Sequence, residues 1–96
     1  RCTRCGTNAP THRDHRQNRD AYNTVPSNLQ LLCALVCHPW KTANPEAAMR
    51  EGFAVSRFAP DPSAVPAFRF GVGWVLYFDA PDDDGNWWRT VTDPNT

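Results

Sequence analysis

No apolar run in this 96-residue chain is long enough to cross a bilayer: the longest, Leu31 to Cys37, spans seven residues, against the roughly 18–20 that a membrane helix needs. The chain therefore reads as soluble, with no membrane partner. It also lacks net charge, with ten Lys and Arg against ten Asp and Glu, so its surface is not uniformly of one sign. Internal repeats are absent, which excludes solenoids and propellers, and 96 residues exclude a two-domain enzyme. The opening residues have none of the basic, apolar and small-residue regions of a signal peptide. Because Cys2 stands so close to Arg1, we expect the natural chain to have more on its N-terminal side. A domain this small is also short of apolar surface to bury, and such domains usually need a metal or disulfide staple.

Four cysteines are available for that purpose. They fall in two pairs, Cys2-Thr-Arg-Cys5 and Cys33-Ala-Leu-Val-Cys37, with 27 residues between the pairs. Two short loops presenting two sulfurs each, joined by a long segment, suit a tetrahedral four-thiolate Zn²⁺ site. Disulfides are the alternative, since four cysteines allow three pairings. The missing secretory segment favours zinc, as does Gly6, which suits the tight turn of a zinc knuckle. The second pair has three intervening residues where two are commoner.

The zero net charge conceals an asymmetry. Residues 1–50 carry seven basic side chains against Asp14, Asp20 and Glu46, a surplus of four, while residues 51–96 carry Arg57, Arg69 and Arg89 against seven acids. A basic first half suggests a surface for a polyanion, with an ordinary solvated face as the alternative. Between the cysteine pairs, Thr11 to Arg16 reads as a strand with His12, Asp14 and Arg16 on one face and Arg13 and His15 on the other. Residues 17–27 read as a loop, and Asn28 to Cys33 as the start of a buried strand. A short helix follows from Cys37, with Pro39 in its first turn and Trp40 toward the core. A second helix has Asn44 as N-cap and Pro45 at its first position, and ends at Gly52. Residues 53–70, with Pro60, Pro62 and Pro66, read as an irregular extended connection. Gly73 to Asp79 and Trp87 to Thr92 form a hairpin around the turn residues Asp82 to Asn86, with Trp74, Tyr77, Phe78, Trp87 and Trp88 as its packing surface.

Asp14, His15, Asn28 and His38 lie within or beside the cysteine frame. Hydrolysis of a phosphodiester needs a base for water, ligands that leave a cation open to phosphate, and a residue that fixes the loop carrying the base. Together, Cys2-x-x-Cys5-Gly6, Asp14-His15-Arg16, Asn28-Leu-Gln-Leu-Leu-Cys33 and Cys37-His38-x-x-Lys41 resemble the zinc-containing HNH endonucleases of the ββα-metal fold over about residues 1–42. The later segments Asn44 to Ala48, Asp61 to Pro66 and Gly73 to Leu76 are similar to those of small HNH proteins of actinobacterial phages. This sequence has one residue more between Asn28 and His38 than the family's usual pattern.

The resemblance implies an α+β fold, a small zinc-stapled ββα-metal domain with a C-terminal β-hairpin. Residues 1–52 would form the HNH core with the four-cysteine site and following short helix, and residues 53–96 the Pro-rich connection and hairpin packed on it. It implies His15 as general base, since imidazole is neutral yet basic near physiological pH, and Asn28 as the residue that orients the base-bearing loop. Asp14 and His38 would hold a catalytic Mg²⁺ or Mn²⁺, and Cys2, Cys5, Cys33 and Cys37 a structural Zn²⁺. Arg16, Arg19 and Lys41 would contact DNA phosphates, which set affinity without reading bases. His12, on the strand face of Asp14, has no counterpart in the pattern. The implied activity is hydrolysis of double-stranded DNA with little sequence specificity, by a phage-encoded protein in the cytoplasm of a bacterial host. The alternative is an inactive zinc-stabilised module that contacts phage packaging or virion proteins.

Overall fold

A computed structural model describes residues 1–95. Strands β1 (Thr11–His15) and β2 (Leu29–Cys33) pair antiparallel, with His12 opposite Leu32, Asp14 opposite Gln30 and His15 opposite Leu29. Helix α1 (Cys37–Ala43) follows β2 after a short turn, and α2 (Pro45–Arg50) follows α1. A second antiparallel sheet has the order β3 (Ala67–Arg69), β4 (Gly73–Tyr77), β5 (Trp88–Thr90). The protein is thus an α+β domain with two short sheets and a buried four-cysteine cluster. Among the described residues, no helix is long and apolar enough to cross a membrane.

The helix pair forms where expected, but Asn44 works differently. Its side-chain amide and backbone N–H both donate to the Trp40 carbonyl, each at 2.9 Å. It therefore closes α1, and its side chain makes no capping bond to α2. Gly52 ends the helical segment at φ +80°, and a Cβ there would stand 2.2 Å from the Pro66 carbonyl oxygen. Only glycine fits this combination of left-handed backbone and close approach.

The connection after Gly52 is more ordered than its prolines suggest. Once Pro66 has passed, Ala67–Arg69 can offer N–H groups and pairs with β4, adding a strand to the expected hairpin. In the hairpin turn, Asp82 accepts from the backbone N–H groups of Asn86 and Asp84. These bonds, Asn86's first, hold its carboxyl below the usual carboxylate range. Tyr77 is buried with Trp88 packed against its cluster, whereas Trp87 is 47% exposed and lies outside the expected packing surface.

Arg16 is the main correction to the sequence reading. It is 1% exposed, so its guanidinium cannot serve as a phosphate contact. Its Nε donates to Gly52 O at 2.9 Å, Nη1 to Ser27 O at 2.7 Å and Pro62 O at 3.1 Å, and Nη2 to Val65 O at 2.7 Å. Burial lowers its pKa to about 10, still a full cation at neutral pH, and Tyr77 opposes that shift. Four carbonyls replace the water it has lost, as a buried charge requires. Two lie beyond residue 60, so this arginine ties the C-terminal segment to the β1–β2 hairpin.

Candidate metal centre and catalytic cleft

The Sγ atoms of Cys2, Cys5, Cys33 and Cys37 all lie within 4.8 Å of one another, and none of the four is in a disulfide. Cys5 and Cys33 Sγ are 3.8 Å apart, close to the edge of about 3.8 Å of a tetrahedron with 2.3 Å metal–sulfur bonds. Gly6 makes the first turn possible. Its φ is +75°, its N–H donates to Cys2 O at 2.9 Å, and a Cβ there would meet the Phe70 ring at 2.2 Å. The second turn closes through Cys37 N–H to Cys33 Sγ at 3.1 Å, so the longer spacing is accommodated.

The electrostatics of the cluster favour a cation among the sulfurs. Burial pushes the Cys2 thiol up, but backbone N–H groups, led by that of Cys5, outweigh it and bring the pKa down to about 6. Burial raises Cys37 to about 12; Arg4 pulls it down, and the neighbouring sulfurs of Cys33, Cys2 and Cys5 push it further up. Four sulfurs this close cannot all ionise unless a positive ion sits between them. Arg4 adds positive charge from outside, with Nη1 3.4 Å from Cys37 Sγ and its guanidinium 3.6 Å above the Trp40 ring. The donor set, spacing and charge fit a structural Zn²⁺.

One edge of this frame carries a cleft of about 450 Å³, lined among others by Asp14, His15, Arg19, His38 and Lys41. β1 supplies the first two and α1 the last two, because the cysteine cluster holds the end of β2 and the start of α1 together. Asp14 Oδ2 accepts from Lys41 Nζ at 2.6 Å and Gln30 Nε2 at 2.9 Å. Asp14 Oδ1 lies 3.4 Å from His38 Nε2, near the roughly 3.0 Å between adjacent ligands of an octahedral ion with 2.0–2.1 Å bonds. The spacing of this pair is of the size a hard divalent cation needs, while Lys41 already occupies Asp14 Oδ2.

His15 Nε2 is 2.9 Å from Thr24 Oγ1. With that nitrogen donating to the hydroxyl, Nδ1 keeps the lone pair that can accept a proton. Asn28 is fully buried. Its Oδ1 accepts from Gln17 N at 2.7 Å, and its Nδ2 donates to Asn23 O at 2.9 Å and Gln17 O at 3.2 Å. It thereby ties Gln17 to Asn23 across the loop between His15 and Thr24. Arg19 is exposed on this loop. Lys41 is instead occupied, bonding Asp14 and the His15 carbonyl at 2.7 Å.

Thr24, Gln30 and His12 are the site residues that motif reasoning did not assign. The register offered a signal for Gln30, which stands directly opposite Asp14, and face alternation offered one for His12, whose Nδ1 is 2.8 Å from His38 Nδ1. No local pattern marks Thr24. No protein-family model matches the chain, and neither a curated protein nor a solved structure matches it.

Proposed function

We propose that the protein is a metal-dependent endonuclease of the HNH type, held by a structural Zn²⁺ and hydrolysing phosphodiester bonds of double-stranded DNA with little sequence specificity. The observation that carries the reading is the convergence, in one cleft, of Asp14 and His38 at 3.4 Å with His15 and the exposed Arg19 beside them. His15, held by Thr24, accepts the proton of the attacking water at Nδ1. Asn28 keeps the loop between His15 and Thr24 in place, so that the base meets the water in a fixed orientation. Arg19 holds a DNA phosphate at the cleft's rim. A Mg²⁺ or Mn²⁺ ion bound by Asp14 and His38 would polarise the phosphate and stabilise the departing 3′ oxygen.

One observation favours the second reading, an inactive zinc-stabilised module that contacts packaging or virion proteins. Lys41 already neutralises Asp14 at 2.6 Å, and a carboxylate paired this way holds a cation less strongly. Incubating purified protein with supercoiled plasmid separates the two. The nuclease reading expects nicking with Mg²⁺ or Mn²⁺ that stops when the divalent ion is chelated; failure to cut supercoiled, linear or branched DNA with either ion would leave the module as the better account.

A further inference from the structure

We infer that His12 is a positioning residue that fixes the tautomer of His38, leaving the His38 Nε2 lone pair directed at the space beside Asp14 Oδ1. The inference rests on the proposal that Asp14 and His38 hold a divalent cation, and it adds a residue outside the HNH pattern.

The two rings meet edge-on, with centroids 5.0 Å apart and planes at 77°, and their Nδ1 atoms are 2.8 Å apart. One of these nitrogens must donate and the other accept. If His12 donates, the neutral His38 proton sits on Nε2, 3.4 Å from Asp14 Oδ1, beyond the 2.7–3.2 Å of an N–H···O bond. That proton would then lack a good acceptor. If His38 donates from Nδ1, the 2.8 Å bond is made and Nε2 is free. Asp14 is arranged to match, because both of its close donors, Gln30 and Lys41, bond Oδ2. With His38 in this tautomer, Oδ1 and Nε2 face each other as two acceptors, an arrangement that a cation satisfies. A histidine ligand commonly has its second nitrogen bonded in this way, and losing such a partner typically costs 10- to 100-fold in metal affinity.

The test uses the zinc-loaded protein. Long-range ¹H–¹⁵N spectra recorded without Mn²⁺ should find the His38 proton on Nδ1 and the His12 proton on Nε2. His12 is exposed, so His12→Ala should keep its zinc content and melting temperature. In that variant His38 should shift to the Nε2–H form that free histidine favours, and Mn²⁺ affinity by calorimetry should fall about 10- to 100-fold. His12→Asn, whose Oδ1 can accept where Nδ1 did, should restore both readouts. A wild-type His38 protonated on Nε2, or unchanged Mn²⁺ affinity in His12→Ala, would overturn the inference, and no Mn²⁺ binding by wild type would overturn it together with the catalytic reading. Wild-type Mn²⁺ binding that weakens in His12→Ala, without any DNA cleavage, would support the role of His12 and reject only the nuclease.

Discussion

The core beneath the β1–β2 hairpin consists of Cys2, Leu32, Cys33, Cys37, Ala48 and Phe53, half of them cysteine, whereas the C-terminal sheet closes over Ala67, Val75 and Tyr77 with Trp88 against them. Fully burying one large apolar side chain contributes about 1.5–3 kcal/mol. Neither cluster holds enough of them to offset the chain entropy of its own region. The first region supplements its core with four converging sulfurs. The second borrows stability from the first, through the Arg16 cage and through Asp79, whose Oδ1 accepts from Ser27 N at 2.9 Å. Small domains can thus be stabilised by polar centres placed inside the core, provided that every charge there is compensated.

Removing the metal should break the first region most completely. Structural Zn²⁺ sites contribute about 10–16 kcal/mol of apparent binding energy, as much as or more than the roughly 5–15 kcal/mol stability of a whole domain. Native protein should contain one zinc per chain, and stripping it with a strong chelator should abolish the folded near-UV signal. Four thiols oxidised in native protein, with no zinc present, would instead mean that disulfides hold this region.

Cutting the link between the regions should have the next largest effect. Arg16→Ala removes this donor from the carbonyls of Ser27, Gly52 and Val65, while Pro62 O keeps the Val65 N–H at 3.1 Å; at about 1–3 kcal/mol for each buried carbonyl left unpaired, the loss should be at least about 3 kcal/mol, measurable by urea unfolding. A surface arginine that merely touched phosphate would move stability by only about 0.5 kcal/mol.

The smallest of these effects concerns charge. Arg19→Glu should weaken DNA binding a few-fold at all sequences alike and lower the salt dependence of log K by about one, while leaving stability unchanged. The matching reversal in the acidic half, Arg89→Glu, should do little. A larger effect from Arg89 would place the DNA surface on the C-terminal sheet.

The contrast between Arg16 and Arg19 also shows which features a local sequence pattern can encode. Cysteine spacing, strand alternation and the turn around Gly85 are local signals, and the sulfur cluster, the β1–β2–α1 order and the β4–β5 hairpin follow from them. Both arginines sit in the same polar run and look equally solvated. What separates them is a set of carbonyls contributed by residues 27, 52, 62 and 65, which no local pattern announces. β3 was hidden for a related reason: proline punctuation dominates its neighbourhood, and its pairing partner lies in a different segment. Within the candidate site, the motif picks out Asp14, His15, Asn28 and His38 but gives no role to Thr24, and the bonds of Thr24 to His15 and of Lys41 to Asp14 depend on how the loop and helix close.

If the cysteines serve folding and the cleft serves chemistry, the cleavage rate of His15→Ala on supercoiled plasmid is the most direct test. The side chain has no part in the sulfur cluster, and among the described residues it hydrogen-bonds the Thr24 hydroxyl. With zinc content, melting temperature and DNA binding at wild-type values, the rate should fall by about 10² to 10⁴, the usual contribution of general-base catalysis. A variant that stays folded and zinc-loaded but cuts at the wild-type rate would contradict the assignment of His15 as the base.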